Sequence, residues 1–134
     1  MAIYAMKATI SGSFEEVKGK VVEALKMQGF GILTEIDVQK AMKEKLNVDF
    51  EPYQILGACN PELAHRALEA DRSIGLLLPC NVVLRGLGEV VEVSIQDPEV
   101  MFGVVDSRVQ AALAGLPGEA KARLQNALEA VTGA

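Results

Sequence analysis

ILGACNPEL (residues 55–63) and LLLPCNVVL (residues 76–84) begin 21 positions apart, and each places Cys-Asn at its fifth and sixth positions. Cys59 and Cys80 are the only two cysteines of the chain. Asn60-Pro61 reads as a helix start, an asparagine N-cap followed by proline at the first helical position, where its missing N–H costs nothing. YQILGACN (53–60) is therefore a strand that feeds a helix over 61–70, and IGLLLPCNVVLRG (74–86) is the strand that follows. If the helix is an ordinary crossover, the two strands are parallel and adjacent. The thiols would then lie level on one side of the sheet, with the asparagines one residue later on the other. Neighbouring strands are about 4.8 Å apart, a separation within disulfide reach.

The rest of the chain fits around that unit. IYAMKATISG (3–12) and FGILTEI (30–36) are β-compatible, and Ser13 with Glu16 forms a capping box for a helix that ends at Gly29. Asp37 caps a second helix over 38–46. EVVEVSIQD (89–97) pairs with the 74–86 strand through RGLG, whose glycines permit a tight hairpin. After Asp97-Pro98 the sequence is alanine-rich and helical, broken at GLPGE, with a last helix over 119–131. The order predicts an α+β fold, a single-layer mixed or antiparallel sheet of about five strands with helices mainly on one face. One domain spanning residues 1–134 accommodates it.

Composition narrows the function. A net charge of −5 with no Lys/Arg cluster disfavours nucleic acid and anionic lipid. The longest apolar run, 74–84, is 11 residues with Pro79 and Asn81 inside it, too short to span a bilayer. The start MAIYAMKATISGS lacks the pattern of a signal peptide. These features read as a cytoplasmic protein with reduced thiols. Hydrophobic residues make up 50% of the chain, and that apolar surface predicts a homodimer.

The only histidine, His65, shares a polar helical stripe with Glu62, Arg66 and Glu69, whereas Leu63, Ala64, Ala67 and Leu68 form the apolar face. His65 thus points to solvent, which leaves Ser-His-Asp, Cys-His and HExxH chemistry without a histidine. Glu35 and Asp37 stand where acid–base residues could sit, yet capping accounts for them better. No catalytic residue, metal site or cofactor is assigned. Cys59 precedes a helix N-terminus, a mildly activating place for a thiol, while buried packing is the commoner role of free cysteine.

GFGILTEIDVQKAMKEKL, ILGACNPELAHRALEAD and GLLLPCNVVL, followed by a strand and Asp-Pro, resemble in order the family catalogued as Domain of Unknown Function 302. The resemblance covers residues 14–110. It implies a compact α+β domain, often a homodimer, without an assigned biochemical role, and marks Cys59, Asn60, Pro61, Pro79, Cys80 and Asn81 as the place to seek a site. The sequence reading is thus a small acidic domain that binds a small molecule or ion near Cys59, Asn60, Cys80 and Asn81. Its alternatives are a thiol-dependent enzyme or redox sensor using Cys59 and Cys80, and a dimerising domain without ligand.

Overall fold

Alternation of buried and exposed side chains is regular along 80–86 and 90–96, and it places Val82, Leu84, Val91, Val93 and Ile95 on one side of a sheet. The computed structural model, which describes residues 3–132, shows that sheet to have five strands. They are β1 (Ala5–Ser11), β2 (Gly31–Asp37), β3 (Tyr53–Cys59), β4 (Cys80–Gly86) and β5 (Val90–Gln96), in the order β1-β5-β4-β3-β2. Every neighbouring pair is antiparallel. The helices are α1 (Phe14–Met27), α2 (Val38–Leu46), α3 (Pro61–Ala70), α4 (Pro98–Met101), α5 (Ser107–Leu113) and α6 (Leu116–Thr132). This is the expected α+β class with five strands, and α1, α3 and α6 contribute Val17, Val21, Leu25, Leu63, Ala67 and Leu124 to the core that covers the sheet.

The direction of β4 differs from the parallel crossover. Residues 72–77 form a 3-10 helix rather than the first half of a strand, capped by Asp71, whose side chain accepts from the Ser73 N–H at 3.0 Å. That segment folds back on α3 and buries Ile74, so the excursion that leaves the sheet after Cys59 returns to the same end. Pro79 follows a cis peptide bond and offers no N–H to a ladder, and the strand begins after it. The chain re-enters the sheet antiparallel, with Ala58 opposite Cys80 and Gly57 opposite Asn81.

Local signals decide the other boundaries. The Ser13–Glu16 capping box is present, with both reciprocal hydrogen bonds. At the other end of α1, Phe30 N–H donates to Leu25 O and Gly29 N–H to Lys26 O, the Schellman pattern, with Gly29 at φ +84°. The hairpin between β4 and β5 turns through Gly88 at φ +86°, as the glycines predict. The last helix starts earlier than expected, because the break falls at Ala114 (φ +53°) and Gly115, and Pro117 is accommodated in the first turn of α6.

Leu84, at 0% exposure, and Leu76, at 89%, test this arrangement directly. Leu84→Ala should cost about 2–5 kcal/mol of unfolding free energy, and Leu76→Ala should fall within about 0.5 kcal/mol of the parent. Denaturant titration of the two variants measures both; equal costs would mean that 74–79 is a buried strand after all.

Candidate functional site

The sequence places Cys-Asn at the last position of β3 and the first residue beyond it, and again at the first two positions of β4. Because the strands run antiparallel, both motifs lie at the same end of the sheet, and there they border a cleft. Its walls are Phe30, Ala58, Cys59, Asn60, Leu63, Ala64, Ala67, Leu78, Cys80, Phe102, Leu116 and Ala120. About 20 Å³ is open to the centre of a water-sized sphere, enough for one or two waters in the resting structure.

Asn60 is 6% exposed and closes the first turn of α3, its Oδ1 accepting from the Leu63 N–H at 3.1 Å. This is the cap that Asn-Pro predicts. The Asn60 amide nitrogen packs on Gly29, where an added Cβ would come within 2.8 Å of it. Absence of a side chain at Gly29 therefore serves two ends, the positive φ that terminates α1 and the close approach of the α3 cap.

The two thiols are free and reside in different settings. Cys80 is buried opposite Ala58 on the helix-covered side of the sheet. Cys59, one residue past Ala58, alternates to the other side and is partly exposed. The expectation that the thiols share one side of parallel strands is thus corrected, since an antiparallel register with Ala58 opposite Cys80 sets their Cβ atoms on opposite sides. Both residues still border the cleft, which opens where β3 gives way to α3. Burial raises the Cys59 thiol pKa. Burial first, and the neighbouring Cys59 second, push that of Cys80 up from 9.0 to about 11. Neither shift is toward the thiolate that nucleophilic or redox chemistry requires.

Asn81 does not join the cleft. It stands opposite Gly57 on the uncovered face of the sheet, exposed, with its backbone N–H donating to Gln96 Oε1 at 3.0 Å. Asn60 and Asn81 therefore do not share a face. His65 is on the polar stripe, its side chain 75% exposed and 3.6 Å from Glu69. Asp37 caps α2 through the Lys40 N–H at 2.9 Å, and Glu35 pairs with Lys18 at 2.6 Å, so both carboxylates have structural partners. Among the described residues no group of three or more His, Cys, Asp or Glu is placed to hold a metal ion. No helix of the described residues is long and apolar enough to cross a membrane.

Sequence reasoning did not anticipate Phe30, Leu78, Phe102, Leu116 and Ala120 as walls of the cleft. Phe102, Leu116 and Ala120 come from the alanine-rich C-terminal third, and no local pattern there says which strand end it will cover. Only the apolar stripe of α3, with Leu63 and Ala67, carried a signal.

Alkylation at neutral pH should label Cys59 far faster than Cys80, which should react only on unfolding; comparable rates would show that Cys80 is accessible. The raised Cys80 value also carries a pH dependence. The folded thiol stays protonated where the unfolded thiol ionises, so its contribution is complete below pH 9 and is lost as pH rises through 9 to about 11. Thermal unfolding across that window should fall more steeply for the parent than for Cys80→Ala. Asn60→Ala should cost about 0.5–2 kcal/mol, and an unchanged midpoint would remove the cap from this account.

With this geometry established, comparison with known proteins places the chain. No curated protein matches it at a significant level. The crystal structure of an uncharacterized conserved protein DUF302 from Bacillus stearothermophilus is similar to it with a TM-score of 0.86 and 27% sequence identity, covering 97% of this chain and 99% of that one. The family model described as domain of unknown function DUF302 matches residues 6–131, and the chain belongs to that family.

Proposed function

We propose that this chain is a binding domain for a small, neutral and largely apolar molecule, taken up in the cleft at the shared end of β3, β4 and α3. One observation carries the reading: the cleft walls include no charged side chain, and their only polar side chains are Asn60 and two protonated thiols. An ion buried there would lose hydration without gaining a counter-charge, a cost of several kcal/mol. Between the two ligand types read from the sequence, this favours the small molecule. The same walls weigh against the thiol enzyme or redox sensor, because activated thiols sit in electropositive surroundings that lower their pKa. A ligand larger than a water or two must displace side chains that line the cleft.

Paired probes test this. Benzyl alcohol and benzoate have nearly the same ring and differ in charge, and their effects can be followed by thermal unfolding and by amide chemical shifts of the 15N-labelled protein. Benzyl alcohol should perturb amides of residues 58–67 and 80 and raise the midpoint, a ligand at 100 times its Kd adding about 2.7 kcal/mol. Ala64→Leu, which fills the cleft from a partly exposed helix position, should abolish the effect. Equal or stronger binding of benzoate, or perturbations elsewhere on the surface, would contradict the proposal.

A further inference from the structure

The side-chain amide of Asn60 is engaged at one end only. Its Oδ1 accepts from the Leu63 N–H at 3.1 Å, and because only the oxygen of an amide can accept, that bond fixes which end is nitrogen. Nδ2 carries two N–H donors and has no acceptor among the described residues, although Asn60 as a whole is only 6% exposed. Nor is it sealed off. Among the described residues the one side-chain polar atom that is both inaccessible and without a partner is Gln54 Oε1, at the opposite end of β3, so Nδ2 stays within reach of a molecule in the cleft that Asn60 lines. Gly29 keeps the approach clear: a Cβ there would fall 2.8 Å from Asn60 Nδ2 and 3.5 Å from Arg123 Nη1, so both donors face one bare Cα, next to Phe30 of the cleft wall. The Arg123 charge is itself paired, its Nη2 lying 2.9 Å from Glu119 Oε2. The other polar side chains of the wall are the protonated thiols of Cys59 and Cys80, which are weak donors. The wall thus presents donors, Asn60 Nδ2 the strongest of them, while its side-chain acceptor, Asn60 Oδ1, is committed to the helix cap.

We infer that the ligand of this cleft is a carbonyl compound, an uncharged ketone or ester whose apolar body lies against Leu63, Ala67 and Phe102 and whose oxygen accepts a hydrogen bond from Asn60 Nδ2. This rests on the cleft being the binding site and adds the polar group that orients the ligand in it. A carbonyl oxygen brings lone pairs and no proton, which suits a wall of donors. A hydroxyl would add a donor for which no side chain of the wall holds an uncommitted acceptor. A hydrocarbon would cover Nδ2 and exclude the water that can otherwise meet it, and a buried donor left unpaired is costly. The carbonyl oxygen replaces that water's hydrogen bond directly. Asn60 then serves two ends with one side chain, its oxygen starting α3 and its nitrogen orienting the ligand.

Acetophenone and ethylbenzene share a ring and a two-carbon chain and differ in the carbonyl oxygen, and their binding to the 15N-labelled protein is the test. Both should shift backbone amides of residues 58–67 and 80. Acetophenone alone should shift the side-chain amide pair of Asn60, identified by its loss in Asn60→Asp. Aspartate and serine cap helices about as well as asparagine, so Asn60→Asp keeps the bond to Leu63 while turning the donor into an acceptor, and Asn60→Ser removes the amide without adding charge. In each variant the dissociation constant of acetophenone should rise at least about tenfold, equivalent to 1.4 kcal/mol, and that of ethylbenzene by less than about threefold. Equal losses for the two probes, or an Asn60 amide unmoved by acetophenone while the backbone amides shift, overturn this proposal alone. Backbone amides silent to both probes would show that the cleft takes no such molecule, which overturns the binding proposal and this one with it.

Discussion

The pairing of Ala58 with Cys80 is the constraint on which the rest of the molecule depends. It requires the chain to leave the sheet through α3 and return at the same end, and the 3-10 segment that folds back on α3 makes that return. From this one register follow the antiparallel direction of β4, the separation of the two thiols to opposite sides, and the gathering of two strand ends and a helix start around one cleft. Asn60 then holds the corner together, tied to Leu63 by its cap and to Gly29 by contact.

Much of this was legible in the sequence because it rests on local chemistry. Ser13 with Glu16, Asp37, and Asn60 with Pro61 cap helices where their spacing says they should, since a side-chain oxygen three residues before an orphan amide needs no tertiary information. The hairpin at Gly88 and the polar stripe of His65 are equally short-range. The direction of β4 was not legible. An apolar run such as 74–84 satisfies a buried strand and a packed 3-10 turn alike, and the deciding signal, Asp71 capping at Ser73, is one hydrogen bond in a region dominated by hydrophobicity. The cleft was legible only in part. Cys59, Asn60 and Cys80 meet there, whereas Phe102, Leu116 and Ala120 arrive through packing of the C-terminal helices.

The two sides of the sheet divide the chemistry. On the covered side, Cys80 packs among the neutral groups of a small cleft that Cys59 borders at the strand end, and burial moves both thiol pKa values away from reactivity. On the open side, ions pair with one another beside an apolar row: Arg85 holds Glu51 below the usual carboxylate range, and Glu92 joins the same network. A domain arranged in this way has a small apolar cleft on one side and a broad, locally neutral face on the other, with five strands between them.

Cross-strand nuclear Overhauser contacts in the labelled protein test the central register most directly. The account predicts contacts linking the backbones of 57 with 81, 55 with 83 and 53 with 85, a ladder in which one number falls as the other rises. Contacts in which both numbers rise together, from 55 with 76 to 59 with 80, would be the parallel ladder. They would contradict the return of the chain at one end of the sheet and the cleft built upon it.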